Sequence, residues 1–142
     1  MIEYESPSLA PVMPSTIPAE PRKPSTWIEL SRATLRRNVR FLQRRIGKDV
    51  LFTSVVKGNA YEHDIETYVP MAESCGVRNF MVFSADEADR ALRARTQDSD
   101  IAIMGDLAAA DVPWAVANNV AFFVFDLARL DAALEAAKRF DT

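Results

Sequence analysis

From residue 27 onward, short apolar runs alternate with segments in which apolar residues recur at helical spacing. The runs lie at residues 50–56, 80–83, 101–104 and 121–125, and a helical pattern follows each of them. A strand buried in a parallel sheet reads as a continuous apolar run, and helices cover the faces of such a sheet. Four strand-to-helix units therefore predict an α/β fold with right-handed crossovers. Periodicity alone leaves open a small doubly wound sheet and half of an eight-stranded barrel.

Capping residues predict where the first elements begin and end. Residues 27–30 are expected to form a short strand, and Ser31 is expected to cap a helix that ends near Gly47. The last helix of the pattern is expected to carry an apolar face formed by Leu127, Leu130 and Leu134.

Two further helices are predicted from proline and from a capping motif. A helix is expected between about Asp64 and Cys75, with regular structure from near Thr67 so that Pro70 falls in its first turn. Ser84 and Glu87 have the spacing of a capping box, in which each side chain satisfies a free backbone N–H at the start of a helix.

The first 26 residues differ from the rest of the chain in composition. Six of the eight prolines lie here, and the stretch has no apolar periodicity. We expect residues 1–26 to be a flexible Pro-rich leader and residues 27–142 to form the folded portion.

Charge and cysteine content exclude several classes of function. The net charge of -3 offers no basic surface for nucleic acid or for an anionic membrane. No apolar run approaches the roughly 20 residues that a membrane span needs, and the N-terminus lacks the features of a secretory signal. The single cysteine, Cys75, cannot form an internal disulfide, which favours a cytoplasmic protein.

The position of Lys57 in the predicted fold is typical of a residue in a ligand-binding or catalytic site. It directly follows the apolar run 50–56, at the carboxyl end of a predicted strand, where parallel sheets and barrels place their ligand sites. A neutral amine there can attack a carbonyl carbon. Position alone does not separate this role from that of a strand-end lysine whose amine reaches into water.

The residues around Lys57 are more specific. Residues 55–63 read Val-Val-Lys-Gly-Asn-Ala-Tyr-Glu-His. This run resembles the signature of alanine racemases, in which a lysine ending the first barrel strand precedes a small residue, Asn, Ala, Tyr, a small residue and His. The order of elements over residues 27–142 is also similar to that of the family. The resemblance implies a partial TIM (β/α)8 barrel of about four βα units.

The resemblance also implies a cofactor and roles for individual residues. Lys57 is implied to bind pyridoxal 5'-phosphate through its amine and to act as one of two bases that move the substrate's α-proton. Tyr61 is implied to contact the cofactor phosphate. His63 is expected to order the loop rather than to act as a base, Asn59 is expected to stabilise the turn, and no metal is expected.

The implied reaction is the racemisation of L-alanine to D-alanine, which supplies precursors of cell-wall peptidoglycan. The implied partner is a small amino-acid substrate, and the longer parent protein is implied to be a homodimer. Two residues depart from the family pattern, since Glu62 and Asp64 stand where small residues are common. Whether these carboxylates face the site, where they would repel a dianionic phosphate, or face solvent is open at this stage.

The chain is short for this fold. A (β/α)8 barrel takes about 250 residues, so the 142 residues are expected to be the N-terminal portion of a barrel domain that is inactive alone. One alternative is another pyridoxal-phosphate barrel of the same fold type: the cofactor homeostasis protein, a D-amino-acid aldolase or a basic-amino-acid decarboxylase. The other is a half-barrel without enzymatic activity that serves as an interaction module.

Overall fold

Four parallel strands form the centre of the fold, in a computed structural model that describes residues 26–141. They are β1 (Ser54–Val55), β2 (Asn79–Val82), β3 (Asp100–Ile103) and β4 (Ala121–Phe122). The strands pair in the order β1-β2-β3-β4, and every pair is parallel. A barrel places consecutive strands side by side, whereas a doubly wound sheet reverses its strand order at a switch point. The predicted α/β fold is confirmed, and the strand order is that of a partial barrel.

Helices connect the strands and cover the sheet. They are α1 (Arg32–Ile46), α2 (Lys57–Tyr61), α3 (Ile65–Glu73), α4 (Ala85–Ala94), α5 (Val112–Ala117) and α6 (Leu127–Phe140), with a 3-10 turn at Ala109–Asp111. None of the helices within residues 26–141 is long and apolar enough to cross a bilayer. The predicted leader, apart from residue 26, lies outside the described residues.

The first predicted helix is confirmed, but the strand predicted before it is wrong. The Ser31 hydroxyl accepts a hydrogen bond from the backbone N–H of Thr34 (3.3 Å), and Gly47 ends α1 with φ of +84°. Residues 27–30 adopt no strand, and the side chain of Trp27 is 72% exposed. A strand requires a partner for its backbone groups, and none of the four described strands pairs with this segment.

The outer strands are shorter than their apolar runs. Of residues 50–56 only Ser54–Val55 form β1, and of residues 121–125 only Ala121–Phe122 form β4. Both are edge strands that pair on one side only. Ser54 and Val55 are partly exposed, so the burial on both faces predicted for residues 50–56 does not occur in β1. Apolar side chains at the two edges are exposed: Val50, Leu51, Phe123, Val124 and Phe125. The predicted leucine face of α6 exists and is likewise exposed, at Leu127, Leu130 and Leu134.

Helix α3 begins earlier than predicted. The Asp64 carboxylate accepts hydrogen bonds from the Thr67 backbone N–H (3.1 Å) and the Thr67 hydroxyl (2.7 Å), which caps a helix that starts at Ile65. Pro70 therefore lies inside the helix, and the prediction that it occupies the first turn is wrong. Because proline has no N–H, one helical hydrogen bond is missing there.

Candidate active site

Lys57 leaves the sheet at the carboxyl end of β1. The backbone N–H of Val56 donates to the carbonyl oxygen of Met81 (2.7 Å), so sheet pairing continues up to the residue before the lysine. Val56 is fully buried and Lys57 is half-buried. The buried valine thus fixes the chain at the point where the lysine side chain begins.

The residues after Lys57 form a turn of left-handed helix. Five successive residues, from Gly58 to Glu62, have φ between +53° and +65°. Only Gly58 adopts this conformation without steric cost. Each of the other four residues has a Cβ, and the left-handed region costs such a residue roughly 1–2 kcal/mol of conformational energy. The residue patterns of this segment did not predict such a turn. Its contacts with the rest of the protein must therefore offset several kcal/mol of backbone strain.

Backbone contacts around Asn59 hold part of the turn. The backbone N–H of Ala60 donates to the carbonyl oxygen of Val56 (2.8 Å), and Ala60 is 3% exposed. The Asn59 side chain accepts a hydrogen bond from the backbone N–H of Ile65 (3.1 Å). This contact confirms the expectation that Asn59 stabilises the turn, and it ties the turn to the start of α3.

Helix α4 supplies the remaining support through Glu87 and Arg90. The two oxygens of the Glu87 carboxylate accept hydrogen bonds from the backbone N–H groups of Asn59 (3.0 Å) and Phe83 (2.9 Å). The guanidinium of Arg90 donates to the side-chain oxygen of Asn59 (2.7 Å). The predicted capping box is wrong in detail, because the Ser84 side chain makes no capping bond. Glu87 instead shares its carboxylate between the end of β2 and the turn after β1.

One pocket of about 640 Å³ brings together the two predicted site residues. It is lined by Lys57, Gly58, Tyr61, Glu62 and Phe83. Tyr61 and Phe83 are each 57% exposed. Phe83 was not singled out from the sequence, although its position as the last residue of a predicted strand was the available signal.

The other residues of the motif face different surroundings. Asp64 does not line this pocket, and its carboxylate caps the start of α3 and lies 3.6 Å from the guanidinium of Arg90. His63 is exposed, and its ring lies 6.5 Å from that of Tyr68 in a stacked arrangement. Glu62 is exposed and lines the same pocket as Lys57. Within residues 26–141, no cluster of three or more His, Cys, Asp or Glu side chains could hold a metal ion.

Comparison with known proteins identifies the family. Residues 30–142 match the family described as "Alanine racemase, N-terminal domain". The chain is 36% identical over 115 residues to an alanine racemase of Listeria monocytogenes, which covers 80% of this chain and 31% of that protein. A shorter match, 40% identical over 47 residues, joins 33% of this chain to 12% of a lysine racemase from Proteus mirabilis.

The fold has the same relatives. The crystal structure of an alanine racemase from Bacillus anthracis with bound L-Ala-P superposes with a TM-score of 0.71 at 32% sequence identity, over 82% of this chain and 30% of that one. The chain thus spans about a third of the length of the relatives that it matches. With a strand-end lysine, four consecutive parallel strands and a family match over residues 30–142, this chain belongs to the alanine racemase N-terminal-domain family.

Proposed function

We propose that the pocket around Lys57 binds pyridoxal 5'-phosphate, with the lysine amine toward the aldehyde carbon and the Tyr61 hydroxyl toward the phosphate. The observation that carries this proposal is that Lys57 and Tyr61 line the same pocket. An amine is the group that reacts with an aldehyde, and a phenolic O–H can donate to a phosphate oxygen. Membership of the family supports the same assignment.

The residues present fit a flat phosphorylated aldehyde. The pocket volume of about 640 Å³ lies in the range of small-molecule sites, and Phe83 offers an exposed aromatic side chain beside Lys57 and Tyr61. When bound, pyridoxal phosphate withdraws electrons from the α-carbon of an amino acid and makes its α-proton easier to remove. We assign Lys57 to bind the aldehyde and, once the amino acid replaces it, to accept or return that proton.

The reaction that we propose for the longer parent protein is the interconversion of L-alanine and D-alanine, for peptidoglycan precursors, in a cytoplasmic homodimer. Racemisation needs proton transfer on both faces of the α-carbon, and Lys57 is the only base that we assign to this chain. Since the chain spans 31% of the Listeria racemase, we expect no turnover of L-alanine by the 142 residues alone. A coupled assay for D-alanine checks this, and turnover that Lys57→Ala abolishes contradicts it.

Reductive trapping tests the cofactor site directly. The amine nitrogen of Lys57 attacks the aldehyde carbon, water leaves as the C=N bond forms, and hydride from borohydride reduces that bond to a stable secondary amine. Peptide mapping then compares the label on Lys57 with that on the other lysines of the chain, Lys23, Lys48 and Lys138.

The expected result is preferential labelling of Lys57 at low cofactor concentration. Lys57→Arg should abolish that label, and the matched variant Lys48→Arg should leave it unchanged. Equal labelling of all lysines overturns the proposed cofactor site and favours the half-barrel without enzymatic activity.

A further inference from the structure

The left-handed turn determines where the side chains of Lys57 and Tyr61 emerge relative to each other. Three residues with positive φ, 58–60, separate Lys57 from Tyr61, whose own φ is also positive, and Lys57 and Tyr61 both line the pocket. If the turn relaxed to right-handed geometry, the direction of the Tyr61 side chain would change while Lys57 stayed fixed by β1. Whatever holds the turn therefore holds the proposed phosphate donor in place.

Glu87 is placed to do this from a different element. Its carboxylate joins the backbone N–H of Asn59, inside the turn, to the backbone N–H of Phe83, at the end of β2. Lys57 precedes the first of these groups by two residues, and the Phe83 side chain lines the pocket. One carboxylate thus connects the two chain segments that form the pocket walls.

Arg90 acts on the same turn from one helical turn further along α4. Its guanidinium donates to the side-chain oxygen of Asn59 (2.7 Å) and is held on its other side by both oxygens of Glu66 (2.7 and 2.6 Å). Helix α4 therefore holds Asn59 at two points, through Glu87 at its backbone and through Arg90 at its side chain.

We propose that Glu87, supported by Arg90, is a positioning residue that sets the geometry of Lys57 and Tyr61 for the cofactor. The proposal rests on the proposed function, since it assigns Glu87 a part in cofactor binding without contact with the cofactor. A carboxylate offers one acceptor oxygen to each of the two N–H groups. Glutamine has nearly the same shape but only one acceptor, so in Glu87→Gln an amide NH2 group faces one of the two donors.

The decisive experiment compares Glu87→Gln with Asp89→Asn in the full chain. Asp89 lies on the same helix and pairs only with Arg93 among the described residues. Each protein is incubated with pyridoxal phosphate, reduced with borohydride and mapped. The readout is the ratio of label on Lys57 to label on Lys48 and Lys138. If the substitution only weakened the cap of α4, this ratio would not change in the molecules that remain folded.

We expect Glu87→Gln to lower this ratio by about tenfold, the effect of one lost hydrogen bond to a charged group, and Asp89→Asn to leave it unchanged. Arg90→Lys, which keeps the charge but loses the guanidinium fork, is expected to lower the ratio less than Glu87→Gln. Its matched control is Arg93→Lys. These two variants keep the proposal testable if Glu87→Gln does not fold.

The possible failures are distinguishable. In one outcome, Lys57 is labelled selectively in the original chain and equally well in Glu87→Gln and Arg90→Lys. That result overturns the positioning role and leaves the proposed function intact. A fall in the ratio that only matches the unfolded fraction measured by circular dichroism also overturns it. No selectivity for Lys57 in the original chain overturns the proposed function and the positioning role together.

Discussion

Arg90 and Glu66 form a two-point ion pair between α4 and α3. The guanidinium Nε donates to Oε1 of Glu66 (2.7 Å), and Nη2 donates to Oε2 (2.6 Å). The hydrogen bonds from Arg90 lower the pKa of the Glu66 carboxyl from its usual 4.5 to about 2. Since the same guanidinium reaches Asn59, this pair joins the left-handed turn to two helices.

The ion pair predicts a pH dependence of stability. The folded-state pKa of Glu66 is lower than the unfolded one, so its contribution is complete above about pH 4.5 and is lost as pH falls toward 2. Both side chains are substantially exposed, at 38% and 50%, which limits the contribution to about 1 kcal/mol or less. Urea unfolding of the original chain and of Glu66→Gln should differ at pH 6 and converge near pH 2. A difference that persists unchanged at pH 2 contradicts this, and Glu135→Gln on α6 is the control.

We expect substitution of Glu73 to reduce stability more than substitution of Glu66 does. Glu73 is 2% exposed, and its carboxylate accepts hydrogen bonds from the hydroxyl of Ser99 (2.7 Å) and from the backbone N–H and hydroxyl of Thr96 (2.6 and 2.8 Å). Burial raises the pKa of Glu73, but these hydrogen bonds together outweigh burial and lower it.

Glu73→Gln should therefore cost about 1–3 kcal/mol of unfolding free energy, because the amide leaves buried donors without acceptors. Urea unfolding at neutral pH measures the change. Glu135→Gln, an exposed substitution of the same chemistry, should cost less than about 0.5 kcal/mol. Equal costs for the two variants would show that the buried hydrogen bonds of Glu73 add no stability.

Local sequence signals predicted the four strands of the sheet and the position of Lys57 at the carboxyl end of the first. The features that these signals did not predict depend on long-range contacts. The apolar run ending at Val56 gave the strand and the lysine at its carboxyl end. The left-handed turn was not predictable, since four of its five residues are not glycine and local rules assign positive φ mainly to glycine. Its support comes from Glu87, which lies 28 residues from Asn59 in sequence.

Errors in the predicted element limits have the same origin. Ser84 and Glu87 have the spacing of a local motif, but the Glu87 carboxylate bonds a residue of another segment instead of closing the motif. Residues 50–53 are apolar enough for a strand, yet β2 begins only at Asn79, one residue before the partner of Ser54, and β1 has no neighbour on its other side. Residue patterns indicate which segments can pair, and pairing itself depends on the neighbours that the fold supplies.

We expect cofactor binding to strengthen when the negative charge of Glu62 is removed. Glu62 lines the pocket that we assign to a dianionic phosphate, and like charges close to one another repel. Glu62→Gln should raise the borohydride-trapped label on Lys57 by about two- to threefold, the size expected for an exposed charge pair. The increase should disappear with pyridoxal, which lacks the phosphate. An equal increase with both aldehydes would show that the phosphate is not the group that Glu62 repels.

We expect a side chain at Gly105, which lies next to Phe83 of the pocket, to destabilise the fold. The backbone N–H of Gly105 donates to the carbonyl oxygen of Phe83 (3.1 Å), and a Cβ added to Gly105 would overlap that oxygen and lie 3.1 Å from Cε2 of the Phe83 ring. Because a backbone atom cannot move aside as a side chain can, Gly105→Ala should cost about 2–3 kcal/mol. Gly58→Ala is the comparison, since nothing lies within 4 Å of its added Cβ and its cost is the left-handed backbone alone, about 1 kcal/mol. Urea unfolding that ranks Gly58→Ala as the more damaging change would show that the ends of β2 and β3 can separate without penalty.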